Sequence, residues 1–297
     1  MTIIQAMKEK FIFIVNPVSG KKRKSFMLEL IEKQLKKETF DFEIIYTRFA
    51  GDAYHQVKEK LNKGIKYFVA VGGDGTVNEV ASAIVETDAV LGIIPTGSGN
   101  GLARHLKIPM NANKALNLIL KKNVFKMDYG KINDRLFFCT TGVGFDAHIG
   151  YVFSKTEGRG FRNYVKASFS EFLKYQPQRY EIATKEKTLF RDAFLITCAN
   201  ASQYGNNAHI APKAEVNDGK MEVAIMRAFP ILNAPIMGAR LFLKNIDKSK
   251  YIETFSCDEL IIRRQKSGVI HFDGEPGEMG EEIRINIIPK GLNVFVS

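Results

Sequence analysis

The chain has 297 residues, a length that suggests two domains. Hydrophobic residues make up 45% of it and charged residues 25%, a balance that excludes a mainly disordered protein. The 43 Lys and Arg residues against 32 Asp and Glu give a formal net charge of +11. This charge favours a polyanionic partner such as nucleic acid, anionic lipid or a phosphorylated ligand, although a merely solvated basic surface explains it as well.

Three widely spaced cysteines form no CxxC pair, so neither a disulfide framework nor a zinc module is expected, and a reducing compartment fits better. The N-terminal segment lacks the long apolar core of a signal peptide. No stretch of 18 apolar residues occurs, so we expect a cytoplasmic protein that does not span a membrane.

The first third of the chain alternates strand and helix signals. Helical spacing predicts helices over residues 24–37, 52–63 and 77–86, and a short helix follows the fourth strand. Strands separated by such helices imply βαβ units, and uninterrupted apolar runs are typical of a parallel sheet covered on both faces. The predicted strands are FIFIV (11–15), FEIIY (42–46), YFVAV (67–71) and AVLGII (89–94).

After residue 127 the pattern changes to strands without regularly alternating helices. Helices are expected only near residues 160–175 and 231–244, and the final segment EIRINIIPKGLNVFVS is predicted as a hairpin about Pro289-Lys290-Gly291. Long β runs of this kind favour an antiparallel sandwich or barrel. We therefore predict an α/β domain with a parallel sheet over residues 1–127. A mainly antiparallel β-sandwich domain would cover residues 128–297, with the last residues free to return to the first domain.

The strongest local motif is GGDGT, from Gly72 to Thr76, directly after the strand YFVAV. Its glycines let the backbone approach a ligand, and it opens a helix whose N-terminal amides and dipole favour phosphate. Thr76 and Glu79 also fit a capping box, so a tight, well-capped βα turn is the alternative. The three glycines and the acid favour nucleotide binding over a plain turn.

Two further loops follow predicted strands at the same edge of the sheet. PTGSGN runs from Pro95 to Asn100, and NPVSG runs from Asn16 to Gly20. Loops at the carboxyl ends of neighbouring strands can build one phosphate cradle. The cations at residues 21–24 could steer polyphosphate or form a solvated helix start. The chain has no GxxxxGK[ST], no GxGxxG after a strand, and no HRD or DFG, which excludes the P-loop, dinucleotide Rossmann and protein-kinase modes.

In order along the chain, NPVSG, GGDGTVNEV, PTGSGN, GVGFDAHIG and DGE resemble the diacylglycerol kinase catalytic-domain family, from Asn16 to Glu275. That family includes soluble bacterial lipid kinases, sphingosine kinases and ceramide kinases, and it shares GGDGT with NAD kinases. The resemblance implies an N-terminal domain like that of phosphofructokinase and NAD kinase, and a C-terminal β-sandwich. It also implies phosphorylation of a lipid hydroxyl with ATP and Mg²⁺, here of a diacylglycerol-like lipid.

The resemblance also assigns roles to individual residues. Asp74 would act through catalytic Mg²⁺ or orient the reacting hydroxyl, Asp146 would lie near that metal, and Glu275 would be the general base. From the residues alone, Asp273-Gly274 favours a hairpin turn at Glu275, and an Asp beside glycines, such as Asp146, is typical of a turn. A structural role is therefore the alternative for both acids. The ATP site would be lined by Asn16, Pro17, Ser19, Gly20, Thr47, Gly72, Gly73, Asp74, Gly75, Thr76, Asn78, Thr96, Ser98 and Asn100.

A separate structural Mg²⁺ is also implied by the resemblance. The Asp218 carboxylate would hold it with the backbone carbonyls of Glu215 and Lys220, although Asn-Asp-Gly at this point is typical of a turn. The chain departs from the family pattern at Gly101, where many bacterial members have Asp. Sphingosine kinases also lack an acid there, so the departure leaves the identity of the lipid open.

A lipid substrate requires peripheral contact with a membrane, expected here to be anionic. The segment at 160–175 has an apolar face flanked by cations, as an interfacial helix needs, although packing onto the sandwich explains such a face more often. No RNP, zinc or helix-turn-helix signature indicates a nucleic-acid partner, and a homodimer is left open. The alternatives for function are a sphingoid-base or ceramide kinase, an NAD kinase, and a nucleotide-regulated binding protein without turnover.

Overall fold

The structure, a computed structural model, describes residues 9–19, 29, 32, 33, 40–155, 168 and 170–297. The predicted helix at 24–37, most of the helix predicted near 160–175, Gly20 and the cations at 21–24 lie outside the described residues. Two compact units make up the chain. The first comprises Met1–Gly97, Leu106–Lys126 and Leu292–Ser297, and the second comprises Ser98–His105 and Met127–Gly291.

The elements are numbered in chain order. The strands are β1 (Lys10–Val15), β2 (Asp41–Tyr46), β3 (Tyr67–Gly72), β4 (Val90–Pro95), β5 (Val124–Ile132), β6 (Arg135–Phe137), β7 (Thr140–Gly144), β8 (Gln178–Ala183), β9 (Thr188–Ala193), β10 (Leu195–Ala199), β11 (Met221–Met226), β12 (Ile252–Cys257), β13 (Glu259–Arg264), β14 (Gly268–Phe272), β15 (Glu275–Met279) and β16 (Glu282–Phe295). The α-helices are α1 (Asp52–Asn62), α2 (Asp74–Ile84), α3 (Gly101–His105), α4 (Ala112–Leu120), α5 (Phe145–Lys155) and α6 (Ala234–Phe242), and short 3₁₀ helices span Ile231–Asn233 and Ile246–Lys248.

The first unit contains a parallel sheet in the order β2-β1-β3-β4. Residues 11–15 of β1 and 68–71 of β3 are fully buried, as expected for strands covered on both faces. At the end of the chain, Asn293 and Val294 add to β4 in parallel. The predicted α/β arrangement of the N-terminal part is confirmed.

The capping box predicted for Thr76 and Glu79 is wrong. Helix α2 begins at Asp74 with Gly73 as its N-cap, so Thr76 already lies inside the helix. The Glu79 carboxylate instead accepts hydrogen bonds from the amides of Gly51 (2.8 Å) and Ala53 (3.1 Å) at the start of α1. Because Gly51 has no side chain with which to cap α1, a residue of the neighbouring helix provides the acceptor.

The second unit contains two antiparallel groups of strands. One has the order β12-β11-β10-β7-β14-β15, and in the other β13 lies between β8 and the first part of β16, with β9 beyond β8. Apolar side chains from both groups, including Ile196, Ile225, Ile262 and Ile285, form one buried cluster. The predicted β-sandwich is therefore confirmed.

The hairpin predicted about Pro289-Lys290-Gly291 is wrong, because residues 282–295 form the single strand β16. Lys290 has a positive φ of 55°, and its amide donates to Asp128 Oδ1 at 2.7 Å. This local bend lets the two ends of the strand pair with different partners, so the chain is not turned back on itself. Helices α4 and α5 and strands β5 and β9 were also not predicted. Among the described residues, no helix is long and apolar enough to cross a bilayer.

Candidate functional site

The strand order of the first unit has a switch point between β1 and β3. The chain leaves β1 for β2 on one side, while β3 lies on the other side of β1 and leads to β4. Ligands of open α/β sheets bind outside the carboxyl ends of the strands at such a point. Asn16 follows β1, and its amide donates to the carbonyl of Val71 in β3 at 3.2 Å, so the two loops begin side by side.

Side-chain hydrogen bonds join three loops at this edge. Asn16 Nδ2 donates to Thr76 Oγ1 at 3.3 Å, and the hydroxyls of Ser19 and Thr96 are 2.9 Å apart. The Thr96 amide also donates to the Gly72 carbonyl at 2.8 Å. The loops after β1, β3 and β4 therefore form one group of hydroxyls, amides and glycines, as the sequence predicted.

Two glycines in this loop group are packed closely against neighbouring atoms, so neither position has room for a side chain. A Cβ at Gly72 would lie 2.3 Å from Thr76 Oγ1, and a Cβ at Gly73 would lie 3.3 Å from the Cα of Gly97. A side chain at position 72 would displace the hydroxyl to which Asn16 donates. The N-terminus of α2, whose amides and dipole favour anions, fits the phosphates of a nucleotide.

The remaining predicted residues of the first unit surround these loops. Asp74 is half-buried and is the first residue of α2, where the helix dipole stabilises its negative charge. Thr47 lies at the same sheet edge, since its amide donates to the Val15 carbonyl at 3.0 Å. Pro17 belongs to the turn after Asn16, Gly75 to the first turn of α2, and Asn78 to its second turn, where its Oδ1 accepts from Ser82. Gly20 lies outside the described residues.

Ser98 and Asn100 belong to the second unit, where Asn100 is buried and precedes α3 with a φ of 52°. Close packing explains why glycine occupies the neighbouring position 101. A Cβ there would lie 2.9 Å from Cys139 Sγ and 3.2 Å from the Gln203 carbonyl, to which that thiol donates. An aspartate at position 101 would have to displace the buried Cys139, so the departure from the family pattern is matched by its surroundings.

Glu275 is presented by a two-residue hairpin. Asp273 (φ 49°) and Gly274 (φ 84°) connect β14 and β15, and two positive φ angles in a two-residue loop define a type I′ turn. Glu275, the first residue of β15, pairs with Phe272 and is exposed. The turn predicted from Asp-Gly is present, and it places the carboxylate of Glu275 directly after the tip.

The carboxylate of Asp273 fixes this hairpin to the connection between β6 and β7. It accepts hydrogen bonds from the amides of Phe138 (2.9 Å), Cys139 (2.7 Å) and Thr140 (3.1 Å), and the Asp273 amide donates to the Thr140 carbonyl at 2.8 Å. Such charge-assisted bonds are about twice as strong as neutral ones. The sequence indicates only a turn at Asp273, because the residue's partners are more than 130 positions away.

The Asp146 side chain is 8% exposed and has protein donors on both oxygens. Its Oδ2 accepts from Thr197 Oγ1 (2.7 Å), Tyr204 OH (3.0 Å) and His271 Nε2 (3.1 Å), and its Oδ1 accepts from the Ala147 amide at 2.8 Å. A metal ion at this carboxylate would have to replace some of these donors. The geometry therefore fits an anchor between α5, β10 and β14 better than a magnesium ligand.

Burial changes the pKa of two groups near Asp146. Burial, together with the negative charge of Asp146, raises the pKa of Tyr175 to about 12. Burial also raises the pKa of the Cys198 thiol well above its usual value, so this cysteine is neutral and unreactive as a nucleophile. His271 Nδ1 is buried without a hydrogen-bond partner among the described residues.

The predicted structural magnesium site lies on an exposed loop. Asp218 Oδ1 accepts from the Lys220 amide at 3.0 Å, and Glu215, Asp218 and Lys220 are all exposed. The fully buried Asp128, which no sequence motif indicated, holds this loop by accepting a hydrogen bond from the Gly219 amide at 2.7 Å. No group of three or more metal-ligating side chains occurs in the part of the chain that the structure describes. One carboxylate with carbonyls is still compatible with Mg²⁺, which keeps several waters.

Two family models match the chain in succession. The diacylglycerol kinase catalytic domain matches residues 10–132, and the YegS C-terminal NAD kinase beta sandwich-like domain matches residues 140–296. Two relatives are named "Probable lipid kinase YegS-like". That of Serratia proteamaculans is 28% identical over 93% of this chain and 91% of its own length. That of Enterobacter sp. (strain 638) is 30% identical over 82% of each chain. A crystal structure of a diacylglycerol kinase from Bacillus anthracis has the same fold, with a TM-score of 0.78 at 22% identity over 99% of this chain and 98% of that one.

Proposed function

The chain belongs to the diacylglycerol kinase catalytic-domain family of lipid kinases, and we propose that it transfers the γ-phosphoryl group of ATP to the hydroxyl of a diacylglycerol-like lipid. The observation that carries the proposal is the joining of three loops at the switch point of the parallel sheet. Phosphoryl transfer needs mainly positioning and charge stabilisation, and this loop group offers both to a polyphosphate.

The first unit would bind the nucleotide. The amides at the start of α2 would hold phosphate oxygens, and the hydroxyls of Ser19 and Thr96 would donate to them. Asn16 orients Thr76 through its amide group. Thr47, at the adjacent strand end, would contact the nucleotide from the side of β2.

Asp74 supports a role for Mg²⁺ in this arrangement. A carboxylate at a phosphate-binding helix terminus would repel the phosphates unless a cation lay between them, and carboxylate oxygens suit Mg²⁺. The ion, when bound, would neutralise charge on the β- and γ-phosphoryl oxygens. Asp74 would hold it, whereas Asp146, with its four protein donors, would keep α5 in place. Asp218 with the carbonyls of Glu215 and Lys220 would hold a second, structural ion.

Glu275 would act as the general base. Its exposed carboxylate, fixed by the Asp273 anchor, would accept the proton of the lipid hydroxyl while that oxygen bonds to the γ-phosphorus. The bond from the γ-phosphorus to the bridging oxygen of ATP then breaks, and ADP leaves with the electron pair. No covalent intermediate on the protein is required.

Radiolabelled ATP with a panel of acceptors tests the proposal. We expect label in diacylglycerol dispersed in mixed micelles, dependent on Mg²⁺ and abolished by EDTA. Label in a sphingoid base or ceramide would leave the kinase mechanism intact and replace the acceptor. Label in NAD, or nucleotide binding without transfer to any lipid of the panel, would contradict the proposal.

A further inference from the structure

We propose that the outer face of helix α6 is a docking surface for an anionic phospholipid bilayer, and that the cavity beside it receives a lipid phosphate group. The proposal rests on the proposed lipid kinase function for its purpose, because a membrane lipid reaches the enzyme only at the bilayer surface. Its evidence lies in the second unit alone, in residues 227–251.

The outer face of α6 is apolar and exposed. The large side chains on or beside it are Leu232 (85% exposed), Leu243 (69%), Ile236 (57%) and Phe242 (46%). Positions 232, 236, 239 and 243 follow the spacing of one helical face, and Ala239 is exposed there too. Several large apolar side chains exposed on and beside one helix are of the kind that marks an interaction site in a water-soluble domain.

The opposite face of α6 is also apolar. Met237 is buried in a cluster with Ile246 and Ile252, and the partly buried Leu241 packs against the same cluster. A helix that is apolar all round is normally buried, in a protein core or in lipid. Because the inner face already fills the core, the outer face requires a separate explanation.

The chain segment that carries this face is rich in basic residues. Residues 227–251 contain five basic side chains and one acid. That acid, Asp247, is almost fully buried and pairs with Lys213 at 3.2 Å. The basic residues are Arg227, Arg240, Lys244, Lys248 and Lys250. An apolar face bordered by cations is the pattern of a helix that lies in the interface of an anionic membrane.

A cavity of about 360 Å³ opens beside the helix. Three of the cations line it, namely Arg240, Lys248 and Lys250, together with the polar side chains of Asn233 and Tyr251. Arg240 is held in place by a bond from its Nη1 to the Asn245 carbonyl at 3.0 Å. Three converging cations in a cavity of this size suit a phosphate group, which pairs with arginine and lysine.

Charge decides between a bilayer and a second copy of the chain. In a two-fold symmetric dimer the same surface meets itself, so the five cations of one copy would face those of the other. An anionic bilayer satisfies both features at once, because its acyl layer accepts the apolar side chains and its headgroups pair with the cations.

Vesicle sedimentation without nucleotide tests this surface. Wild-type protein is expected to bind phosphatidylglycerol-containing vesicles more tightly than phosphatidylcholine vesicles. Lys248→Gln with Lys250→Gln should weaken binding to the anionic vesicles about 25-fold at low salt, from about fivefold per cation. Leu232→Asn with Leu243→Asn should weaken binding about tenfold at both low and high salt, because apolar insertion is not screened.

The matched control is Phe190→Asn in β9, which removes an apolar side chain of similar exposure (56%) from the same unit and should leave binding unchanged. Wild-type binding that both double variants retain would overturn the proposal, as would an equal loss with Phe190→Asn or no binding by the wild type. A dimer that Leu232→Asn with Leu243→Asn dissociates would assign the face to a second copy and also overturn it.

Failure of the docking proposal is distinguishable from failure of the kinase proposal. With a short-chain diacylglycerol dissolved as monomers, the double variants should keep wild-type turnover while losing activity on vesicles. If vesicle binding follows the expected pattern but no lipid is phosphorylated, the docking surface stands and the kinase proposal fails. If monomeric substrate is phosphorylated but both double variants act normally on vesicles, the docking proposal alone is wrong.

Discussion

The two units present their candidate site residues in different ways. In the first, the loops after β1, β3 and β4 rely on glycines, hydroxyls and the amides of a helix N-terminus, and Asp74 is a half-buried acid among them. In the second unit, Glu275 is exposed directly after a hairpin turn. The carboxylate of Asp273, in that turn, accepts hydrogen bonds from three backbone amides. The Asp146 carboxylate likewise accepts hydrogen bonds from four protein groups. A motif acid can therefore serve the fold, as the carboxylates of Asp273 and Asp146 do by accepting hydrogen bonds from several protein donors.

The sharpest test of the second unit is Glu275→Gln. A general base contributes about 10²- to 10⁴-fold to the rate, so kcat should fall by that factor while the KM for ATP changes little, because the base acts on the acceptor. Steady-state kinetics with diacylglycerol micelles measures both. Glu278→Gln, at another exposed position of β15, is the matched control. An unchanged kcat in Glu275→Gln returns this residue to the role of a turn residue.

Asp74→Asn tests the corresponding acid of the first unit. The amide keeps the size of the side chain but removes the charge that would hold Mg²⁺, and loss of one such transition-state contact costs about 10²–10³ in rate. Activity over a Mg²⁺ titration should fall by this factor, with an unchanged melting temperature. Asp88→Asn, an exposed acid before β4, should have no effect. Near wild-type turnover at matched Mg²⁺ would remove Asp74 from the mechanism.

Asp273→Asn tests whether the Asp273 anchor positions the proposed general base, because it leaves the Glu275 carboxylate unaltered. Three amides would share a weaker, neutral acceptor, so the free energy of unfolding should fall by about 1.5–3 kcal/mol. Misplacement of Glu275 should lower kcat by about 10- to 100-fold, with the KM for ATP unchanged. Chemical denaturation and kinetics on the same sample measure the two effects. A stability loss with normal kcat would show that the anchor supports only the fold.

Glu79→Ala is the stability control for that comparison. It removes the acceptor for the amides of Gly51 and Ala53, which should cost about 1–2 kcal/mol, as the loss of a helix cap does. Turnover measured well below the melting temperature should equal that of the wild type. If Glu79→Ala and Asp273→Asn lower kcat equally, loss of stability alone explains both, and the positioning role of Asp273 is wrong.

Local patterns in the sequence were sufficient for the framework of both units. The apolar runs of the first unit predicted its parallel strands, since such runs can be buried only in a sheet covered on both faces. The glycine loops after three of those strands predicted a shared site, because parallel strands end at one edge. Asp273-Gly274 predicted a turn, since both residues tolerate a positive φ.

Only the tertiary structure decided which residues are partners. Glu79 was assigned to its own helix, and its true partners lie 26 and 28 positions away. Lys290 resembled a hairpin turn, but its amide is held by Asp128, 162 positions away, and the strand continues. The exposure of Leu232 and Leu243 also follows from which face of α6 the core occupies. Propensity and periodicity act over a few residues, whereas these contacts depend on packing between distant segments, which no local pattern records.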